Sequence, residues 1–201
     1  MPILLIGSTG KTGRYIRSGL EERGHRPKLF VRSAVHAEEG CFVGDVRRPD
    51  DVLEALKGAD GVICALGTEG GGTLIAGLRN VIDAMQRLGV RRLVTIGTAG
   101  ILQSAAEPDL LRYQSSETKR TNHEAAMEHE QVYRELLLAE LDWTIVCPTR
   151  LVQGEPKAAY RVQRDRLPDG GSQITFADTA AFAVAEYFER KHIGRRVGVC
   201  E

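Results

Sequence analysis

The first 13 residues restrict the possible folds of this chain more than any other segment. A short apolar run ends at Gly7, glycines follow at Gly10 and Gly13, and a helical pattern begins at once. A strand, a glycine turn and a helix N-terminus together bring free backbone N–H groups and partial positive charge close to an anion. The opening therefore predicts a site that holds a diphosphate, with a plain tight turn as the alternative.

Two kinds of nucleotide site use this arrangement, and the spacing separates them. A P-loop requires four residues between its first glycine and the Gly-Lys-Thr triplet, but the residue five positions before Gly10 is Leu5, inside the strand. The spacing of Gly7, Gly10 and Gly13 by threes also differs from the usual dinucleotide fingerprint, which is Gly-x-Gly-x-x-Gly. It is nevertheless closer to a dinucleotide turn, with Thr9 and Thr12 inside it.

Composition narrows the class of protein. The 201 residues include 27 basic and 27 acidic side chains, so the net charge is zero and nothing favours nucleic acid or an anionic membrane as a partner. The four cysteines form no Cys-x-x-Cys pair, which indicates reduced thiols and no metal site. We expect one cytoplasmic domain over residues 1–201, with neither a signal peptide nor a bilayer-spanning run.

Short apolar runs alternate with amphipathic stretches along the whole chain. This alternation predicts a single Rossmann-like α/β domain, a doubly wound parallel sheet with helices on both faces. The segments 98–116 and 149–172 lack a regular pattern, and we expect them to form the substrate loops. The predicted strands are Ile3–Ile6, Lys28–Val31, Cys41–Val43, Gly61–Leu66, Arg92–Ile96, Trp143–Cys147 and Arg196–Cys200. The predicted helices are Lys11–Arg23, Pro49–Lys57, Thr73–Leu88, Glu117–Leu138 and Ala177–Arg190.

The end of the second predicted strand indicates which nicotinamide cofactor the chain prefers. NAD-selective sites place an acid there, whereas this strand ends at Val31 and is followed by Arg32. A guanidinium can bind a 2′-phosphate in bidentate fashion, so the sequence favours NADP(H). Lys11 could add a second positive charge. The alternative for both residues is a solvated cation.

Five motifs in this order resemble the atypical short-chain dehydrogenase/reductases, in particular the NAD(P)H-binding, NmrA-like branch and its flavin-reductase-like members. They are the glycine turn, Val31-Arg32, Gly44-Asp45-Val46, Ala65-Leu66-Gly67 and the run from Asp142 to Pro148. The resemblance covers essentially the whole chain, and it favours a monomer, although a dimer is possible.

The resemblance also implies roles for residues at the matching positions. Asp45 and Val46 would flank the adenine, and Ala65, Leu66 and Gly67 would pass the adenine ribose and the diphosphate. The nicotinamide end would be contacted by Thr98 and by three residues that follow Pro148, namely Thr149, Arg150 and Leu151. Thr98 and His129 match residues near the nicotinamide and in the long helix, which makes them the catalytic candidates.

The acid–base pair of ordinary short-chain dehydrogenases is not found at the three tyrosines in the central part of the sequence. That pair is Tyr-x-x-x-Lys, and the residues four positions after Tyr113, Tyr133 and Tyr160 are Glu, Leu and Arg. Hydride transfer to a flavin, a quinone or a linear tetrapyrrole needs stacking more than a strong acid. The sequence therefore predicts an NADPH-dependent reductase of a small conjugated acceptor, with a non-catalytic NADP(H) sensor as the alternative. His129 would donate the proton, unless it is a solvent-exposed histidine.

Overall fold

Strands and helices alternate from the first residues onward in the computed structural model of the chain, which describes residues 2–37, 40–68 and 71–201. Among the described residues, no helix has both the length and the apolar character needed to cross a bilayer. The strands are β1 (Ile3–Ile6), β2 (Lys28–Val31), β3 (Phe42–Val43), β4 (Gly61–Cys64), β5 (Arg92–Ile96), β6 (Asp142–Pro148), β7 (Arg150–Val152), β8 (Arg161–Arg164), β9 (Gln173–Thr175) and β10 (Arg195–Cys200). The helices are α1 (Lys11–Glu22), α2 (Pro49–Leu56), α3 (Thr73–Leu88), α4 (Glu124–Leu138) and α5 (Phe176–Glu189).

The main sheet has eight strands in the order β3-β2-β1-β4-β5-β6-β10-β8. The first six positions follow the order of a doubly wound dinucleotide fold, in which the chain reverses direction across the sheet between β1 and β4. Neighbouring strands are parallel except for β8, which runs antiparallel to β10. The predicted Rossmann-like architecture is therefore confirmed, with one antiparallel edge strand added.

Both faces of the sheet are covered, which explains why its central strands are apolar throughout. In β1, the side chains of Leu4 and Ile6 belong to a core with α2, α3 and α4, whereas Ile3 and Leu5 point to the opposite core with α1 and α5. Successive side chains of a strand point to opposite faces, so a strand between two helical layers needs apolar residues at every position. Trp143 is buried in the first of these cores, as the sequence predicts.

The structure differs from the sequence-based assignment directly after the first irregular segment and within the second. Helix α4 begins at Glu124, seven residues later than predicted, because side chains before it bond to nearby backbone instead. Glu117 accepts from the N–H of Ala105 at 3.0 Å, and Asn122 accepts from the N–H of Glu124 at 2.9 Å.

The second irregular segment contains two strands that its sequence pattern does not reveal. β7 pairs with β9 in a separate two-stranded sheet, and β8 lies at the edge of the main sheet with all four residues exposed. An edge strand without a buried face carries no apolar alternation, so periodicity could not detect it.

Candidate cofactor and substrate site

The glycine turn after β1 depends on two glycines for its shape. Gly7 has φ +82°, and a Cβ there would lie 2.5 Å from the carbonyl oxygen of Ala65. A Cβ at Gly13 would lie 2.0 Å from the carbonyl oxygen of Gly7. These contacts let α1 pack directly against the end of β1. Gly10 is different, because its φ of −72° is ordinary and a Cβ would meet only the oxygen of Gly7, at 3.4 Å.

The N-terminus of α1 is open toward this turn. Gly10 is the N-cap residue and supplies no side-chain acceptor, so the first-turn N–H groups that begin at Lys11 can bind an anion. The turn is held by Arg14, whose Nε donates to the carbonyl oxygen of Thr9 at 3.1 Å. The ammonium group of Lys11 lies 5.4 Å from the ring centre of Phe176.

A groove of about 480 Å³ extends from this turn across the carboxyl ends of β1, β2, β3 and β4. We call it the glycine-turn groove. Its polar wall contains Arg32, Asp45 and Arg47, and its apolar floor contains Val46 and Leu66. Eleven of the predicted cofactor-binding residues line it, namely Gly7, Thr9, Gly10, Lys11, Thr12, Arg32, Asp45, Val46, Ala65, Leu66 and Gly67.

Asp45 is held in place by a chelating arginine at the rim of the groove. Arg47 donates to both of its carboxylate oxygens, at 2.7 Å from Nη2 and 3.1 Å from Nε, and also through its backbone N–H at 2.9 Å. These bonds, with a smaller contribution from the charge of Arg32, lower the pKa of Asp45 to about 2. Asp45 is therefore a fixed anionic acceptor at any physiological pH.

Helix α3 supports the floor of the groove at close range. Asn80 donates from Nδ2 to the carbonyl oxygen of Val46 at 2.9 Å. A Cβ at Gly77 would lie 2.9 Å from Val46 and 3.2 Å from Leu66, so glycine is needed for this close approach. The helix fixes Val46, which the resemblance places beside the adenine, and Leu66, which the resemblance places beside the adenine ribose and the diphosphate.

A second cavity, of about 260 Å³, opens after the carboxyl ends of β5 and β6. We call it the mouth cavity. Its walls combine residues of the two irregular segments, which are far apart in the sequence. The polar and charged residues that line it include Thr98, Arg112, Tyr113, Glu117, Thr118, Arg120, Asn122, His123, Thr149, Arg150 and Ser172.

Three predicted residues for the nicotinamide end lie in this cavity. The hydroxyl of Thr98 accepts from the N–H of Gly100 at 3.3 Å and caps a short 3₁₀ helix. Thr149 is adjacent, and its buried Oγ1 has no hydrogen-bond partner among the described residues. Arg150 is exposed and donates from Nη2 to Gln173 at 2.8 Å.

Tyr113 also lines the mouth cavity, but its hydroxyl is committed to another group. It donates a hydrogen bond to a carboxylate oxygen of Glu130, which also pairs with Arg134. Partial burial and the neighbouring carboxylate raise the pKa of Tyr113. Four residues after it, where a dehydrogenase has lysine, lies Glu117. This environment stabilises the neutral phenol, whereas a dehydrogenase tyrosine is activated as a base.

Three of the predicted site residues line neither cavity. Gly13 lies behind the turn and supports it, as described above. Leu151 packs against the core beneath β7. His129 is buried, and burial lowers its pKa to about 4. The structure therefore gives no support to His129 as a proton donor, and the alternative of a solvent-exposed histidine is wrong as well.

Several residues of the two cavities were missed by sequence reasoning. Arg47 follows Asp45 by two residues, and the Asp-x-Arg spacing in a strand-end turn could have indicated the ion pair. Phe176 opens α5, more than 150 residues after the glycine turn, so no local signal connects the two. Arg112 and Arg120 lie in a segment whose pattern does not show which side chains converge.

Comparison with known proteins identifies the family. A curated 2-alkyl-3-oxoalkanoate reductase of Stenotrophomonas maltophilia (strain K279a) is 30% identical over 94% of this chain, which spans 66% of that relative's length. A solved structure described as a "putative exported protein" of Burkholderia pseudomallei is 27% identical over the full length of both chains, with a TM-score of 0.88. A "putative NADH-flavin reductase" of Streptococcus pneumoniae TIGR4 is 26% identical over 100% of this chain and 99% of its own, with a TM-score of 0.84. Residues 7–189 match the sequence profile of a family described as NAD(P)H-binding, and the chain therefore belongs to that NAD(P)H-binding family.

Proposed function

We propose that this protein is an NADPH-dependent reductase that passes hydride to a flat conjugated acceptor, such as a flavin, a quinone or a linear tetrapyrrole. The observation that carries the proposal is the position of the two cavities. The glycine-turn groove and the mouth cavity both open at the carboxyl edge of one parallel sheet. Ligands of doubly wound folds bind at this edge, next to the point where the strand order reverses.

The groove has the features that a dinucleotide requires. The open N-terminus of α1 would hold the diphosphate, and the absence of a side chain at Gly10 leaves room for its approach. A Cβ at Gly67 would meet no atom within 4 Å, so this segment also leaves space for a ribose. Asp45 offers an ionised acceptor for the amino group of an adenine. Thr98 and Arg150 would contact the nicotinamide end.

The preference for NADPH over NADH rests on the charge at the rim of the groove. Arg32 is exposed on the groove wall, whereas the guanidinium of Arg47, which lines the same groove, is engaged by Asp45. A 2′-phosphate would meet the Arg32 guanidinium there, and the ribose hydroxyls of NADH would find no acid directly after β2.

The choice of acceptor rests on the side chains of the mouth cavity. Tyr113 is held as a neutral donor to Glu130, and Glu117 replaces the lysine that would activate it. A carbonyl substrate would therefore lack its usual acid, whereas a conjugated ring spreads the incoming charge over many atoms and takes its proton from water. When bound, the reduced nicotinamide supplies the hydride.

Two related proteins support the reductase class. One is described as a putative NADH-flavin reductase and the other as a reductase of 2-alkyl-3-oxoalkanoates. The lack of a lysine four residues after Tyr113 is equally compatible with a sensor that binds NADP(H) without consuming it, so turnover is the deciding measurement.

The test is a panel of acceptors offered to the purified protein with NADPH. FMN, riboflavin, a quinone, biliverdin and a 2-alkyl-3-oxoalkanoate are added in turn, and the loss of the reduced-nicotinamide absorbance is followed. We expect consumption with at least one conjugated acceptor and none with the oxoalkanoate. NADPH binding is confirmed by fluorescence in the same samples, and Gly10→Val serves as the non-binding control. Binding without any consumption would favour the sensor.

A further inference from the structure

We propose that the mouth cavity selects acceptors that carry an acidic group, a phosphate or a carboxylate, beside the conjugated ring. This inference rests on the proposed reductase function and makes its substrate class narrower. The cavity is formed by a surplus of cations around a small apolar and hydroxyl-lined recess. Arg150 would contact the nicotinamide end, but nothing in the proposed hydride transfer uses the other cations, so a separate role has to be found for them.

The charges around the cavity do not cancel. Its described lining contains three arginines, Arg112, Arg120 and Arg150, but only one carboxylate, Glu117. Arg112 is paired with Glu117 at 3.4 Å. Arg150 donates to the neutral amide of Gln173. Two of the three guanidinium groups are thus left without a carboxylate partner in the described cavity wall.

Arg120 is the cation with the most freedom to meet a ligand. Its guanidinium is exposed and forms no ion pair within 4.0 Å with a described residue. It also borders a neighbouring groove that contains Glu124 and Glu128. Glu128 is already engaged there, because its Oε1 accepts from the N–H groups of Leu74 and Ile75 at the start of α3.

The dimensions of the cavity indicate where the acidic group would lie. Its volume of about 260 Å³ is below the roughly 300 Å³ at which sites for whole drug-sized ligands begin. Only the reacting ring would enter, and a substituent would extend over the rim, where the exposed arginines stand. Inside, the buried and unpartnered Oγ1 of Thr149 offers a hydrogen bond to a polar atom of that ring.

Two matched pairs of acceptors separate the contribution of the conjugated ring to binding from the contribution of its acidic group. FMN and riboflavin differ by one phosphate, and biliverdin and its dimethyl ester differ by two carboxylates. We expect Arg120→Ala to raise the KM for the acidic member of each pair about tenfold, because one charge-assisted hydrogen bond is lost. The KM for the neutral member should rise less than twofold. An effect on FMN alone would identify a phosphate, and an effect on biliverdin alone a carboxylate.

Binding is measured alongside turnover, so that the two proposals fail separately. Dissociation constants for FMN and riboflavin come from quenching of flavin fluorescence in protein saturated with NADP⁺. Tighter binding of FMN without turnover would keep the inference and overturn the reductase proposal. Turnover of both members of each pair with equal KM and equal affinity would overturn the inference alone, and no binding of either flavin would overturn it as well.

Two further variants serve as controls. Arg120→Lys keeps the charge and should restore most of the preference for the acidic acceptor. Arg87→Ala removes another exposed arginine, from the C-terminal turn of α3 at the opposite edge of the sheet. It should leave every KM unchanged. A similar rise in both variants would mean that only net charge matters, which contradicts a local site.

Discussion

The glycine-turn groove and the mouth cavity lie at the same edge of one sheet, but they are built in different ways. The groove is shaped by backbone, since Gly7, Gly10 and the N-terminus of α1 come from seven consecutive residues. The mouth cavity is shaped by side chains, and its walls come from segments about 50 residues apart. We infer that the backbone of the groove binds the cofactor, which every reaction needs, and that the side chains of the mouth cavity select the substrate.

The groups that bind the ligand also differ between the two cavities in how far they depend on side chains. Backbone N–H groups at a helix N-terminus bind an anion whatever the neighbouring side chains are, as long as no Cβ intervenes. Side chains such as Arg112 and Arg120 can be exchanged without changing the course of the chain. A change in the glycine turn of the groove should therefore remove all cofactor binding, whereas a change in the mouth cavity should alter the binding of one substrate at a time.

The largest expected effect comes from comparing two glycines of the same turn. Gly10→Val should leave the protein folded, because the backbone is ordinary there, but should abolish NADPH binding by filling the approach to the helix terminus. Gly13→Val should unfold the protein or destabilise it by roughly 3 kcal/mol or more, because its Cβ would meet a backbone oxygen. Urea unfolding and cofactor fluorescence measure the two effects.

These two variants test whether the backbone of the glycine turn shapes the groove as described. A folded Gly10→Val protein with intact NADPH affinity would show that the turn does not approach the diphosphate. Normal stability of Gly13→Val would show that the packing of α1 onto β1 is looser than the structure indicates.

The next effect concerns α4, which contributes to the wall of the mouth cavity. Burial keeps His129 neutral in the folded protein and lowers its pKa from 6.5 to about 4. The unfolded chain therefore takes up the proton first as the pH falls, and stability is lost between about pH 6.5 and pH 4. The shift corresponds to about 3 kcal/mol. His129→Leu should remove this loss, which urea unfolding at pH 7 and pH 4 can detect.

The same variant separates a buried histidine from a proton donor. The pH profile of turnover should be unchanged in His129→Leu, because the side chain lines neither cavity. A profile that flattens near neutrality would restore the catalytic role that the sequence predicts.

A smaller effect is expected on the preference for NADPH over NADH, which depends on a side chain of the groove. Arg32→Ala should weaken NADPH binding at least tenfold and leave NADH binding within twofold, as expected for a charge-assisted hydrogen bond to the 2′-phosphate. NADH is the matched control, because it differs only at that position. Fluorescence titration of both cofactors measures the ratio, and equal losses would assign Arg32 a structural role.

The part of the fold that sequence predicts well is the part with buried strands. β1, β2, β5 and α3 have the predicted bounds, because continuous apolar runs and Gly89 after the last turn of α3 leave little choice. β8 was missed because an exposed edge strand has no apolar pattern. The predicted start of α4 at Glu117 is too early, because the Glu117 carboxylate accepts from the N–H of Ala105 and does not begin a helix.

Prediction of the site follows the same division. The groove residues could be read from motifs at strand ends, where sequence neighbours are also spatial neighbours. The walls of the mouth cavity depend on which side chains of two separate segments converge, and no local rule predicts that. The sequence therefore does not identify Arg112 and Arg120, and His129 lines neither cavity. The predicted monomeric state and cytoplasmic location stay predictions.

The smallest expected effect distinguishes two arginines at the rim of the groove. Arg47→Ala should raise the pKa of Asp45 from about 2 part of the way to its ordinary 3.8, because the backbone N–H of residue 47 and the charge of Arg32 remain. NMR titration of the Asp45 carboxyl group measures this directly. The ion pair stabilises the fold above about pH 4 and loses that contribution as the pH falls toward 2, so its removal should cost little stability at pH 7, as for other exposed pairs. Asp45 stays ionised at neutral pH, so NADPH and NADH affinities should change by the same small factor. A selective loss of NADPH would instead assign the 2′-phosphate to Arg47 and contradict the role proposed for Arg32.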